Sequence, residues 1–180
     1  MLHVVIGLDQ GSVRLTPYTR EWARLFEEER SRLQAAVGKY VLDIQHVGST
    51  SIPGMAAKPI LDIAIAVRDF AGSRVCFQPL EQLGYEYKGD FGDPPRHYFA
   101  KGEPRTHHIH MYGIGDRGWI DQLLFRDHLT RHQKIAKEYA ELKLELARRY
   151  PSDRQAYLDA KAPFIERVLR SAREEAGLPE

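Results

Sequence analysis

The chain has 180 residues, with 26 lysines and arginines against 25 aspartates and glutamates. This near balance gives no basis for stable duplex DNA binding or for attachment to an anionic membrane, so any polyanion site must be local. A single cysteine excludes an internal disulfide, and no apolar run approaches the roughly 20 residues of a membrane span. We therefore expect a cytoplasmic protein with one domain over residues 1–180.

The first half of the chain predicts a helix followed by strands. Apolar residues recur at helical spacing over residues 19–37, which indicates an amphipathic helix. Residues 41–47 follow as a strand, and after a glycine-serine turn residues 60–67 form a nearly continuous apolar strand, a pattern typical of a strand covered on both faces. Residues 70–83 predict a helix that Pro79 divides.

The second half changes from short strands to helices. Three short extended runs are separated by Gly, Asp and Pro turns, at residues 85–88, 97–101 and 107–112. The loop at residues 89–95 is a candidate mobile flap. Three helices are predicted beyond Trp119, with Pro163 as a kink in the last. A mixed sheet with helices indicates an α+β class, with an α/β core over residues 1–115 and a helical tail over residues 116–180.

The turn before the apolar strand has the residues of a phosphate-binding loop. Gly48 lets the backbone approach a ligand, and the amides after it can form an anion nest. Hydroxyl groups follow at Ser49, Thr50 and Ser51. Lys58 adds a point charge for a terminal phosphate. The alternative is a polar loop that only caps the next element.

Asp62 is the only charged residue of the strand at 60–67. A carboxylate there is costly to bury unless a metal, a cation or hydrogen bonds compensate it. A strand acid can return beside the Gly48 turn and hold a divalent ion that bridges phosphates, for which we expect Mg2+ or Mn2+.

A pair of histidines offers a second set of ligands. His108 and His110 alternate around Ile109, so both imidazoles should lie on one face of a strand. Together with Asp62 they form a 2-His-1-carboxylate set that could hold a transition metal. Alternatively, one histidine acts as an acid or base near a phosphate, or the pair only bonds neighbouring strands or faces solvent.

Three further cations are candidates for neutralising a phosphorylated ligand. Arg96 could reach the cleft from the flap, and Arg126, next to Asp127, could clamp a phosphate bidentately. Lys143 lies on an otherwise apolar helix stripe. The alternatives are a surface role for Arg96, a helix-helix salt bridge at 126–127, and a lysine that extends past the core to solvent.

Several motifs along the chain resemble the GrpB family, which is assigned to the polymerase-beta-like nucleotidyltransferase superfamily. They occupy residues 46–50, 53–54, 57–63, 106–110, 125–129, 139–143 and 156–161. The resemblance implies a nucleotidyltransferase-like mixed β-sheet with flanking helices and a C-terminal helical segment. Transferases of the superfamily usually carry a second acid two residues after the first, where this chain has Ala64. A standard two-metal site is therefore not expected.

These features favour a protein that binds a nucleotide or another phosphorylated small molecule with a divalent metal. We expect Asp62, His108 and His110 as catalytic residues and transfer of a nucleotidyl or phosphoryl group to a small acceptor, since such catalysis is mostly positioning and charge stabilisation. Two alternatives stay open. The first is a non-catalytic binding module that keeps the phosphate cradle, and the second is a metal-dependent hydrolase that uses the same three residues.

Overall fold

The computed structural model describes residues 6–179, and its centre is a five-stranded mixed sheet. The strands are β1 (Asp43–Val47), β2 (Leu61–Val67), β3 (Tyr85–Phe91), β4 (Arg96–Lys101) and β5 (His107–Gly113). Their order across the sheet is β1-β2-β5-β4-β3, and only the central pair β2 and β5 is parallel. This confirms the predicted mixed sheet and the α+β class.

Within the described residues, five helices flank the sheet. They are α1 (Glu21–Val37), α2 (Phe77–Gln82), α3 (Arg117–Arg131), α4 (Gln133–Arg149) and α5 (Arg154–Glu175). Helices α1 and α2 pack on one face of the sheet, whereas α3 packs on the other face, where α4 and α5 join it. None of the helices within residues 6–179 is both long and apolar enough to cross a membrane.

The side chains of β2 alternate between the two faces of the sheet, and helices cover both faces. Ile63 and Ile65 are fully buried with Trp22 of α1, while Ala64 and Ala66 face Trp119 of α3. Burying each large aliphatic side chain contributes about 1.5–3 kcal/mol, so this strand anchors both layers. Asp62 lies on the α3 face of the same strand, because it is two residues before Ala64.

Several element boundaries differ from the sequence predictions. Pro79 does not divide a helix but lies in the first turn of α2, where no intrahelical amide partner is needed, and residues 72–76 form a separate 3-10 turn. The predicted flap is shorter, because β3 pairs with β4 up to Phe91 and only residues 92–95 connect them. Helix α5 runs through Pro163. A single domain over residues 1–180 stays a prediction, and residues 1–5 and 180 lie outside the described residues.

Candidate functional site

The Gly48 turn lies directly against the carboxylate of Asp62. Antiparallel pairing of β1 with β2 places Val47 opposite Asp62, so the chain leaves β1 beside the acid. Gly48 has φ +70°, and a Cβ atom built on it would lie 2.7 Å from Asp62 Oδ2. Only glycine satisfies both the left-handed backbone and this close approach.

Asp62 is held by the two histidines of β5. Parallel register places Asp62 opposite His108, and Asp62 Oδ1 lies 3.1 Å from His108 Nδ1 and 3.3 Å from His110 Nε2. Burial raises the pKa of Asp62, but the hydrogen bonds from both imidazoles outweigh it and hold the pKa well below its usual range. The ionised acid keeps one oxygen open, because no hydrogen bond from residues 6–179 reaches Oδ2.

Arg96 determines which nitrogen of His110 carries the proton. The Arg96 Nε–H group donates to His110 Nδ1 at 3.2 Å, and an arginine can only donate. His110 Nδ1 is therefore an acceptor, which leaves the proton on Nε2, facing Asp62. The ring of Tyr98 stacks on His110 with 5.3 Å between centroids and fixes its orientation. Burial lowers the pKa of His110, which keeps the imidazole neutral.

The three hydroxyl groups of the turn have different partners. Thr50 Oγ1 bonds His46 Nε2 at 2.9 Å, and Ser51 Oγ donates to the Gly48 carbonyl at 2.6 Å. Burial lowers the pKa of His46 to about 4, so this ring is neutral and structural. Ser49 differs, because its hydroxyl faces the cleft and accepts a 3.0 Å hydrogen bond from Lys143 Nζ.

Lys143 is buried at the base of the turn. It is 2% exposed, and its Nζ also donates to the Ala56 carbonyl at 2.6 Å. Burial, together with the charges of Lys161 and Lys58, lowers its pKa to about 7. This lysine therefore does not reach solvent along the helix surface. It joins α4 to the predicted phosphate loop.

Two more lysines lie close to the ring of Tyr157. Lys161 Nζ lies 4.5 Å from the ring centroid and Lys58 Nζ lies 5.5 Å from it. Burial lowers the pKa of Lys161 to about 8, and burial together with the charge of Arg154 lowers the pKa of Lys58. More cationic than acidic side chains thus line the cleft.

These groups line one cleft of about 910 Å³ between the sheet and helices α3 to α5. The predicted residues that line it are Gly48, Ser49, Thr50, Lys58, Asp62, Arg96, His108, His110 and Lys143. Ser51 and Arg126 are not among them. Arg126 instead bonds Gln45 Oε1 at 2.9 Å and the His46 carbonyl at 3.0 Å, which ties α3 to β1.

Sequence reasoning missed Arg154 and Lys161 as cleft residues. Both lie on α5, which packs against α3 and α4, and both line the cleft. The only sequence signal was that Lys161 falls in one of the recurring motifs, at 156–161, on a stripe with Tyr157.

The fold of the protein is nucleotidyltransferase-like. The Cid1 poly(U) polymerase structure with Mg 3'-dATP bound aligns at a TM-score of 0.52 and 13% identity, covering 81% of this chain and 49% of that chain. At this identity the likeness shows the fold alone. The crystal structure of the conserved protein GrpB from Enterococcus faecalis is much more similar, with a TM-score of 0.84, 35% identity, and coverage of 91% of this chain and 99% of that chain.

The family follows from the sequence comparisons. The family profile described as GrpB protein matches residues 12–171, so the chain belongs to the GrpB family. The Glutamate-rich protein GrpB of Alkalihalophilus pseudofirmus is 33% identical over 92% of this chain and 98% of its own length. The protein YqkA of Bacillus subtilis is 42% identical over 89% of this chain, which spans only 47% of that relative. A dephospho-CoA kinase of Mycolicibacterium paratuberculosis is 30% identical over 89% of this chain and 46% of its own length.

Proposed function

We propose that the protein binds a nucleotide or another phosphorylated small molecule with a divalent cation and transfers a nucleotidyl or phosphoryl group to a small acceptor. One observation carries the proposal. The open oxygen of ionised Asp62 lies beside the positive-φ turn at Gly48, in a cleft that also holds Lys58, Lys143 and Lys161. A polyphosphate with its metal complements both signs of charge.

The charge balance of the cleft favours an anionic ligand. The acids that line it are Asp62 and Asp121, the latter paired with Arg173, whereas five lysines and arginines line the same space. Burial lowers the pKa of all three lysines, and neighbouring cations lower it too, whereas Asp62 raises the pKa of Lys58 and Lys161 without offsetting these effects. A bound phosphate chain would supply the missing negative charge.

The residues fit a magnesium-type ion better than a transition metal. Mg2+ is usually held by one or two carboxylates together with substrate phosphates, and Asp62 Oδ2 offers one such ligand. The ligand atoms of Asp62, His108 and His110 all lie within 4.8 Å of one another, close enough for one ion. However, His110 Nε2 carries a proton while Arg96 donates to Nδ1, so a three-residue site would require Arg96 to release the ring. A bound divalent ion would neutralise the charge that develops on the transferring phosphate.

His108 has the orientation of a general base. Its Nδ1 donates to Asp62 Oδ1, which leaves the lone pair on Nε2. A histidine oriented in this way by a carboxylate can accept a proton from an attacking hydroxyl. Lys143 holds the turn through Ser49, and Lys58 and Lys161 carry charge for the phosphate chain.

A second candidate is a non-catalytic binding module. Ala64, where a second acid would lie, is fully buried with Val47, Tyr112 and Trp119. This packing leaves no room on β2 for a second carboxylate beside the first. Such a module would bind the same ligands but would release no product.

Titration calorimetry with Mg2+ and a panel of nucleotides tests the binding. The panel includes dephospho-CoA, because a relative with that kinase activity in its name contains a similar segment. We expect at least one member to bind, and Lys143→Met to weaken it by on the order of 10-fold or more through loss of a buried cation. Lys137→Met, on the exposed side of the same helix, is the matched control and should change nothing.

Absence of binding by every member to folded protein would refute the proposed function. Where binding is found, release of pyrophosphate or phosphate separates the two candidates. Metal-dependent release that Asp62→Asn abolishes supports transfer, whereas binding without release in the presence of diverse hydroxyl acceptors supports the module.

A further inference from the structure

A second cluster of metal-binding side chains lies where the three C-terminal helices meet, outside the cleft. Its ligand atoms belong to His128, His132 and Glu175, and all lie within 4.8 Å of one another. His128 is in the last turn of α3, His132 is the residue between α3 and α4, and Glu175 ends α5. None of the three lines the cleft around Asp62.

His128 is buried without the hydrogen bonds that such a side chain needs. It is 1% exposed, and neither ring nitrogen has a hydrogen-bond partner within residues 6–179. Leaving a buried polar group unsatisfied destabilises the folded state, so the position calls for an explanation.

The geometry matches donors that share one ion. His128 Nδ1 lies 3.2 Å from Glu175 Oε2 but lacks the direction of a hydrogen bond, while His132 Nε2 forms a 3.1 Å hydrogen bond with the same carboxylate. In tetrahedral zinc sites, bonds of about 2.0–2.2 Å separate the donor atoms by roughly 3.4 Å, and each lone pair points at the metal rather than at the next donor. The close but unaligned approach of His128 to Glu175 fits such an arrangement.

The local helix geometry presents both rings together. His132 N donates to the His128 carbonyl at 2.9 Å, so the helical spacing of four residues continues to His132. Residues four apart lie on one face of a helix, and the two imidazole centroids are 4.2 Å apart. Glu175 reaches them from α5, which the Arg173–Asp121 ion pair already ties to α3.

We propose that His128, His132 and Glu175 form a zinc site, with water as the fourth ligand, that joins the ends of α3 and α5 to the start of α4. Two imidazoles and a carboxylate are ligands that zinc commonly takes. The same three helices supply Gln122, Lys143 and Lys161 to the cleft, so a bound ion would fix the relative positions of its helical walls.

Equilibrium dialysis against Zn2+ on tag-free protein tests the site. The Asp62→Asn variant serves as background, because it removes the acid of the other cluster. We expect one equivalent of zinc in this background, a rise in Tm of a few degrees on zinc addition, and an intense Co2+ absorption spectrum after substitution. Adding His132→Ala should weaken zinc binding by on the order of 100-fold and remove the rise in Tm.

The controls keep the result interpretable. His132 is 38% exposed at its side chain, so His132→Ala should fold normally, which circular dichroism checks. Gln133→Ala changes the neighbouring residue and should leave zinc binding intact. Stoichiometric zinc that persists in the His132→Ala protein, or folded background protein that binds no zinc, would overturn the assignment.

Discussion

Two buried or half-buried acids, one on each side of the sheet, are stabilised in different ways. Glu29 of α1 is fully buried, and both its oxygens are bonded. Its Oε1 accepts from Tyr85 at 2.8 Å and from Lys101 at 2.7 Å, and its Oε2 accepts from Arg32 at 2.8 Å. Asp62 receives both of its hydrogen bonds on Oδ1, and its Oδ2 faces a glycine turn.

The difference separates an acid that supports the fold from an acid that can bind a ligand. A carboxylate whose lone pairs are all used has no capacity for another partner, whereas a carboxylate with one open oxygen beside lysines retains that capacity. Substitutions at the two acids should therefore have opposite consequences for stability and for ligand binding.

The largest effect is expected for Asp62→Asn. Removing the charge eliminates the metal ligand that the cleft offers, and metal stabilisation of phosphates is worth several kcal/mol, so metal-dependent nucleotide affinity or turnover should fall by about 100-fold or more. The free energy of unfolding should fall by about 1–2 kcal/mol, because the charge that both imidazoles stabilise is lost while an asparagine oxygen can still accept from His108. Calorimetry and urea unfolding measure the two quantities. A loss of stability that exceeds the loss of binding would contradict the distinction between the acids.

Glu29→Gln should show the reverse pattern. Burial raises the pKa of Glu29, but hydrogen bonds from Lys101, Arg32 and Tyr85 outweigh it and bring the pKa to about 2, below the usual 4.5. Because the folded state favours the ionised form, this stabilisation is present above pH 4.5 and is lost as the pH falls toward 2. We expect the free energy of unfolding to fall by about 2 kcal/mol at pH 7, and no more, because Arg32 and Lys101 can regain water. Nucleotide affinity should not change.

Unfolding measured from pH 7 down to pH 2 checks the assignment to Glu29. The wild-type chain should lose stability over this range more steeply than the Glu29→Gln variant. Parallel curves for the two proteins would show that Glu29 is not the group responsible.

The two acids also show what the sequence could and could not predict. An acid in an apolar strand and a His-x-His alternation predicted that Asp62, His108 and His110 share one face, because side chains of a strand alternate. The register that places Asp62 opposite His108 depends on the pairing of strands distant in sequence. The orientation of His110 further depends on Arg96, which no local pattern connects to it.

The same reasoning explains the residues whose surroundings differed from expectation. A serine or threonine after a glycine predicts a hydrogen-bond donor to phosphate, but Thr50 is already bonded to His46. His46 lies on the α1 face of the sheet, where it stacks on Phe26. Arg126 is paired with β1 rather than turned toward the cleft. Lys161 and the His128 cluster required knowledge of where α5 packs, which is a tertiary property.

Gly48→Ala tests the close approach of the turn to the acid. Gly54 offers a matched control, because it also has a positive φ, +78°, but a Cβ atom there would have nothing within 4 Å. Both variants should lose about 1 kcal/mol of stability from the left-handed backbone. Only Gly48→Ala should also weaken nucleotide binding, by on the order of 10-fold, since its methyl group would displace Asp62 Oδ2. Equal affinities in the two variants would argue against a ligand at this turn.

The smallest expected effect is an uptake of protons when the ligand binds. It should involve the lysines of the cleft and not the groups on the Glu29 side of the sheet. In the free protein burial lowers the pKa of Lys143 to about 7 and that of Lys161 to about 8, so at pH 8 both amines are partly neutral. A bound phosphate chain favours the charged forms and raises both pKa values, so binding at pH 8 should take up about one proton. Calorimetry in two buffers with different ionisation enthalpies measures this uptake, which Lys143→Met should reduce and Lys137→Met should not. Identical heats in both buffers would mean that the phosphate does not contact these lysines, even if it binds elsewhere in the cleft.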